Sequence, residues 1–205
     1  MRKGTLYIVT APSGCGKGTL LAGAIKKHGL KYSVSATTRA PREGEQDGVH
    51  YFFKSREEFE KMIQNGEFLE YAEYCGNFYG TPAEYVKKQV DEGKDVLFEI
   101  EVQGAMNLMK KLPKATSIFI LPPSVGELKR RLLNRGTEEE ATVNARVEQA
   151  KKEIPYAEFF DYVIINDALE DAERDLDAVI TAAGFSKKSH DGDIKSKVKE
   201  VLENE

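Results

Sequence analysis

Ala11-Pro12-Ser13-Gly14-Cys15-Gly16-Lys17-Gly18-Thr19 follows directly on the apolar run Leu6-Tyr7-Ile8-Val9. Without a Cβ at Gly14 and Gly16, consecutive backbone N–H groups can curl inward around an anion, and a helix opening at the end of the loop adds its positive N-terminal end. Lys17 then reaches the outer phosphates, so the segment reads as a phosphate-binding loop at a strand-to-helix turn. It departs from the strict pattern twice: Ala11 stands at the opening glycine and Gly18 at the hydroxyl position, with Thr19 next in line to supply the displaced hydroxyl. Strand, Gly-x-Gly-Lys core and a helical pattern from Leu20 to Ile25 agree, which favours nucleotide chemistry over a plain glycine-rich turn. Cys15 lies where a helix N-terminus lowers a thiol pKa, which admits a redox-sensing role beside the plainer reading of a small loop filler.

A second set of polar residues comes after the loop: Ser35-Ala36-Thr37-Thr38-Arg39-Ala40-Pro41-Arg42, then Tyr51, Glu70 and Tyr79-Gly80-Thr81. Arg39 and Arg42 flank a proline and can aim at one phosphate, because guanidinium forks bind phosphate oxygens bidentately; phenols at Tyr51 and Tyr79 would complete such a cage. Glu70 suits guanine, whose N1–H and 2-amino group are adjacent donors, while Ser35 and Thr81 hydroxyls would donate to O6. Adenine would set that carboxylate against a lone pair. Each residue alone is an ordinary surface residue; their order behind the phosphate loop is what gives them weight.

Elements must bring these groups together. Short β-branched or aromatic runs recur at Thr5 to Thr10, Tyr32 to Ser35, Val96 to Glu101, Thr116 to Leu121 and Tyr162 to Asn166, most of them separated by amphipathic helical segments. That alternation predicts βαβ units and a mostly parallel sheet with helices on both faces, ligands gathering at the strands' carboxyl ends. Capping boxes are predicted at Ser55 with Glu58, at Thr81 with Glu84 behind Pro82, and at Ser124 with Glu127, with stops at Gly66, Gly93 and Gly136. Between 36 and 81 the pattern changes to Val49-His50-Tyr51-Phe52-Phe53, a short helix, then Phe68 to Tyr74, a small mixed insertion that reads as a substrate-binding subdomain. A charged stretch at 136–155 reads as a mobile lid, and the polar tail at 186–205 as solvated and at most helical near Ile194 to Leu202. Glu99 and Glu101, two apart on the expected strand, should point to one face; Arg131 and Arg135 share a helix face, where Arg131 serves equally well as an anion ligand or a surface ion-pair partner.

Composition bounds the class. At 205 residues, 40% hydrophobic and 31% charged, with no tryptophan, the chain suits one α/β domain with insertions. A net charge of −4 argues against a general nucleic-acid or anionic-membrane binder, so any anion site must be locally basic. Cys15 and Cys75 are too few for a disulfide framework, and neither a cleavable leader pattern nor a run of transmembrane length is present, which points to the cytoplasm.

The motifs A-P-S-G-C-G-K-G-T, S-A-T-T-R-A-P-R-E-G-E, G-V-H-Y-F-F, G-E-F-L-E-Y-A, G-N-F-Y-G-T, E-I-E-V-Q-G, I-L-P-P-S, L-K-R-R-L-L-N-R-G-T-E, N-A-R and I-I-N-D occur in that order, and through them the chain closely resembles the guanylate kinase family over residues 4 to about 184. The resemblance implies a P-loop fold, a three-layer parallel sheet with helices on both faces, plus a small mixed α+β substrate-binding insertion and a lid: core 1–34, 82–135 and 156–185, insertion 35–81, lid 136–155. It implies ATP on Ala11, Pro12, Ser13, Gly14, Cys15, Gly16, Lys17, Gly18 and Thr19, with Asn166 facing the adenine. Guanine would be held by Ser35, Glu70, Thr81 and Glu101, and the GMP phosphate by Arg39, Arg42, Tyr51 and Tyr79. Lys17, Arg39, Arg135 and Arg146 would stabilise the transferring phosphoryl group, with Mg2+ near Thr19 and Glu99 through water. Aspartate is frequent in the family where this chain has Glu99 and Glu101, which leaves open which of them supports magnesium and which touches GMP. The implied reaction is ATP-dependent phosphorylation of GMP, and of dGMP, by a monomer or homodimer without nucleic-acid or membrane partners. Two rivals remain: a kinase for another acceptor, disfavoured by Glu70 with Ser35 and Thr81, and a non-catalytic protein-binding module, disfavoured by the intact Gly16-Lys17 and pocket arginines.

Overall fold

The computed structural model describes residues 3–74, 76–134, 140–186 and 201–202. From the N-terminus run β1 (Leu6–Thr10), α1 (Lys17–His28), β2 (Lys31–Tyr32), β3 (Ala36–Thr37), β4 (Phe52–Phe53), α2 (Arg56–Gln64), β5 (Phe68–Tyr74), β6 (Asn77–Pro82) and α3 (Ala83–Asp91). There follow β7 (Val96–Glu99), α4 (Val102–Lys111), β8 (Thr116–Leu121), α5 (Val125–Asn134), α6 (Glu140–Glu153), a 3-10 turn (Ile154–Phe159), β9 (Tyr162–Ile165) and α7 (Leu169–Gly184).

Five strands in the order β2-β7-β1-β8-β9, all parallel, form the main sheet. β1 is its centre, and alternation along it shows why a continuous apolar run was needed: Tyr7 and Val9 face a cluster with α1, α5, α6 and α7, while Ile8 faces another with α3 and α4. A strand buried on both faces cannot alternate apolar with polar. The expected parallel α/β architecture is therefore present, the helices lying on both faces.

The expected mixed insertion is a separate four-stranded sheet, β4-β3-β6-β5, in which only β3 and β4 are parallel. It has its own small core, with Phe59 of α2 stacked on Phe68 at 4.4 Å and on Phe78 at 5.4 Å. Ser55 and Glu58 close the predicted capping box at the start of α2.

Several local expectations are corrected. The run Tyr32 to Ser35 is not one strand: β2 ends at Tyr32, Ser33 donates its N–H to Leu97 O at 2.8 Å, and the chain then crosses to β3 in the second sheet. β7 stops at Glu99, because Glu101 caps α4 through its carboxylate, which accepts from the N–H groups of Gln103 (2.9 Å) and Gly104 (2.6 Å). Thr81 does not cap α3; Pro82 occupies that position and the Thr81 hydroxyl turns to Glu70. Of Val49 to Phe53 only the last two residues are strand. Within the charged segment expected to form a lid, residues from Glu140 on are helix α6, whose Val143, Val147 and Ala150 fall on one face and enter the core. Gly136 and the tail expectations at 187–200 and 203–205 lie outside the described residues.

Replacing Phe59 with alanine removes the centre of the insertion's aromatic stack and is expected to cost about 3–5 kcal/mol. Urea unfolding followed by circular dichroism measures it, and a loss below about 1 kcal/mol would show that the insertion needs no core of its own.

Candidate active site

The phosphate loop runs from the carboxyl end of β1 into α1. Gly14 and Gly16 have φ of 96° and 79°, a left-handed backbone that other residues rarely adopt. Space demands glycine as well: a Cβ at Gly14 would lie 2.7 Å from Leu132 Cδ2, and one at Gly16 would lie 2.8 Å from Asn166 Nδ2. Gly16 caps α1 with no side-chain hydrogen bond and no acidic residue follows in the first turn, so the helix's first N–H groups have no side-chain cap.

Lys17 folds back toward the sheet. Its Nζ donates to Ile100 O at 3.3 Å and lies 3.7 Å from Glu99 Oε1, with only 18% of the side chain exposed. Burial pulls the ammonium pKa down and the Glu99 carboxylate opposes that shift. Thr10 Oγ1 donates to the same Ile100 carbonyl at 2.8 Å, tying the end of β1 to the chain just past β7.

Behind the loop, Asn166 is buried and donates Nδ2–H to Cys15 O at 2.7 Å. Arg131 holds that segment in turn, donating to Asn166 O (2.8 Å), Asp167 O (3.1 Å) and Glu127 Oε1 (2.7 Å). Of its two possible roles Arg131 thus takes the structural one. Cys15 is 1% exposed, and desolvation pushes its thiol up to about 12, so the loop filler reading holds and the sensor reading, which needs an accessible thiolate, fails. Arg146 reaches across from α6 to donate to Ser13 Oγ at 2.5 Å. Arg135 lies outside the described residues.

On the insertion, Arg39 sits over the Tyr51 ring at 5.4 Å, and Tyr51 meets Tyr79 edge-on at 6.1 Å. Arg39 Nη2 donates to both oxygens of Glu45 (2.8 and 3.0 Å) and Nη1 to Ala40 O at 2.8 Å. Arg42 joins this cluster by its backbone: its N–H donates to Glu45 Oε2 at 2.7 Å while its side chain is exposed. The expectation that both guanidiniums converge is therefore only half realised, and what they share is Glu45. Sequence reasoning missed that residue; its signal was an acid following a proline and Gly44 (φ 83°) within reach of both arginines. Hydrogen bonding to Arg39 holds the Glu45 carboxyl below the usual range.

Glu70 on β5 accepts from Thr81 Oγ1 at 2.7 Å. Desolvation raises its pKa, partly offset by that hydrogen bond, and the Glu101 charge adds to the rise. Both carboxylates converge over Gly104, where a Cβ would lie 3.2 Å from Glu101 Oε1 and 3.6 Å from Glu70 Oε2. Ser35 is half-buried next to β3. Glu99 and Glu101 thus do not share one strand face: Glu99 stands with Lys17 and also accepts a hydrogen bond from the Tyr32 phenol, whereas Glu101 stands with Glu70.

Burial pushes the Tyr51 phenol up, Tyr79 adds to that rise and Arg39 opposes it, with Glu45 and Glu99 contributing least. A lysine-bearing loop at the carboxyl edge of a parallel sheet, in a chain that also carries an arginine–tyrosine cluster on an inserted sheet, defines a P-loop phosphotransferase. Residues 3–183 match the family model for guanylate kinase. The guanylate kinase of Halalkalibacterium halodurans is 52% identical over 182 residues, covering 88% of this chain and 89% of its own. That of Vibrio vulnificus is 51% identical over 185 residues, 89% of each. A crystal structure of guanylate kinase from Anaplasma phagocytophilum matches with a TM-score of 0.73 and 35% identity, covering 99% of this chain and 95% of that one. The chain belongs to the guanylate kinase family. Among the described residues no helix is long and apolar enough to cross a membrane.

A raised folded-state pKa means that Glu70 holds its proton more tightly in the native protein than in the unfolded chain. Its favourable contribution is present below the unfolded value, about 4.3, and is lost as pH rises through the folded value. Glu70→Gln, which keeps the acceptor for Thr81, is therefore expected to melt higher than the parent at about pH 7 and level with it at about pH 3.5. Thermal unfolding at the two pH values checks this, and a variant that is less stable at neutral pH contradicts it.

Proposed function

We propose that this protein transfers the γ-phosphoryl group of ATP to the phosphate of GMP, giving ADP and GDP, with dGMP as a second acceptor, in purine nucleotide metabolism in the cytoplasm. The observation that carries the reading is the Lys17 ammonium, folded back from the phosphate loop onto the Ile100 carbonyl and standing beside the Glu99 carboxylate at the end of β7.

Ala11 to Thr19 would cradle the ATP phosphates and Lys17 would neutralise the outer ones. Asn166, buried and bonded to Cys15 O, serves the ATP side by fixing the loop's backbone. Arg39, Tyr51 and Tyr79 hold the GMP phosphate, with Arg42 brought in by side-chain rotation from its exposed position. Glu70, Glu101, Thr81 and Ser35 take the guanine: two carboxylates crowded over Gly104 in want of donors suit a base edge carrying N1–H and N2 amino hydrogens. A site built on such bonds rejects bases lacking the matching group by roughly 10⁴ to 10⁵.

In the transfer, an oxygen of the GMP phosphate forms a bond to Pγ as the bond from Pγ to the β,γ-bridging oxygen breaks, and the electron pair leaves on ADP. The acceptor's second pKa is about 6, so it is largely deprotonated at neutral pH and needs no side-chain base. Positioning and charge neutralisation by Lys17, Arg39, Arg146 and Arg135 supply the catalysis. Mg2+ relies on substrate phosphates and water with one or two carboxylates, and the Glu99 carboxylate and Thr19 hydroxyl are the groups that would orient its water. Bound there, Mg2+ would supply charge neutralisation on the phosphates. The insertion at 35–81 and the segment at 136–155 act as closing parts that exclude water from the γ-phosphate.

Lys17→Ala is expected to abolish ADP release in a coupled assay while leaving the circular dichroism spectrum unchanged; near-parental turnover would remove the loop from the reaction. Assayed against GMP, dGMP, AMP, UMP and CMP, the parent should use guanine nucleotides alone, and Glu70→Gln should lose most of that preference. Equal rates with all acceptors would contradict the guanine assignment.

A further inference from the structure

Tyr32 lies outside the groups that touch either nucleotide in the reading above, yet it is bonded to the carboxylate that stands beside Lys17. It is the last residue of β2, fixed in register opposite Leu97 of β7, and its carbonyl accepts from the Tyr85 hydroxyl at 3.4 Å. From this anchored position the phenol donates to Glu99 Oε2, and the other oxygen, Oε1, faces Lys17 Nζ at 3.7 Å.

That 3.7 Å separation is well beyond the roughly 2.7–2.9 Å of a direct charge-assisted hydrogen bond. Nothing intrinsic keeps the groups apart, since a glutamate has the reach to close on a lysine, and attraction between opposite charges grows as water is excluded. A closed pair would set a carboxylate where Lys17 must meet a phosphate oxygen. We propose that Tyr32 is a positioning residue, which holds Glu99 back from Lys17 by taking one of its oxygens and so keeps the lysine available to nucleotide phosphate. This rests on the reading of Lys17 as the phosphate-binding lysine. Burial, followed by the hydrogen bond to Glu99, raises the Tyr32 pKa, so the phenol remains a protonated donor at neutral pH.

The linkage has a topological side. Tyr32 ends the last strand of the main sheet before the chain crosses through Ser33 to the insertion. The Glu99 tether therefore sits at the root of the crossing between the two sheets.

The test compares the parent with Tyr32→Phe, Glu99→Gln, the double variant and Lys17→Ala, measuring ADP and GMP affinity by titration calorimetry with EDTA present, so that no metal contributes. Tyr32→Phe should weaken ADP binding by about 3- to 10-fold, the size of one net hydrogen bond, and leave GMP affinity unchanged. In the Glu99→Gln background, where no carboxylate remains to close on Lys17, Tyr32→Phe should have no effect on ADP. Parental ADP affinity in Tyr32→Phe, an equal loss in both backgrounds, or a parallel loss of GMP binding would overturn the proposal. Lys17→Ala separates the two levels: if it binds ADP normally the reading of Lys17 falls and the proposal with it, whereas impaired binding there beside a normal Tyr32→Phe removes only the tether.

Discussion

A lysine ammonium held largely out of water beside a single carboxylate is the interaction on which the rest of the site depends. The pairing of β1 with β7 sets Val9 opposite Glu99, so the end of the phosphate-loop strand and the acid arrive at the same sheet edge. The loop then reverses through two left-handed glycines and α1 returns Lys17 to the Ile100 carbonyl, which also receives the Thr10 hydroxyl. Register, loop and helix thus converge on one point. Burial alone would drive the ammonium toward its neutral form; Glu99 opposes that, so the lysine can be both desolvated and charged, the state in which it is worth most to a phosphate.

The same economy of charge separates the two acids. Glu99 is compensated by Lys17 and by a phenol donor. Glu70 and Glu101 crowd together over Gly104 with a threonine hydroxyl and two backbone N–H groups as their donors, and Glu70 is pushed toward protonation. A fold selected for stability alone would not place two carboxylates there. The cost makes sense if a base with adjacent N–H donors completes the arrangement, and it is spread over two sheets: Glu70 on the insertion, Glu101 at the start of α4. In the same way Arg39 is held in place by Glu45 before any ligand arrives, which lowers the entropy of capturing a phosphate.

Much of this was legible in the sequence, for physical reasons. A glycine loop after a doubly buried strand has few alternatives, and the central strands β1 and β8 and the Ser55 capping box appeared where expected because local propensity and burial agree there. Errors fell where a side chain serves the site rather than its own element. Thr81 looks like an N-cap but gives its hydroxyl to Glu70, and Glu101 looks like strand but caps a helix. The site roles of Glu45 and Tyr32 were not legible, since nothing in a linear pattern says that an acid will meet an arginine across a turn or that a strand-end phenol will reach a neighbouring strand's carboxylate.

The central claim, which the proposed phosphoryl transfer requires, is that two anion cradles, one at Lys17 and one at Arg39, come close enough for one ligand to span both. Binding of a bisubstrate ligand, adenosine and guanosine joined 5′ to 5′ through a polyphosphate chain, tests it most directly by calorimetry. One molecule per chain should bind at least about a hundredfold more tightly than ADP or GMP alone and be displaced by either, because joining the halves makes the second contact intramolecular. Affinity no greater than that of the better half, or displacement by only one nucleotide, would contradict the account.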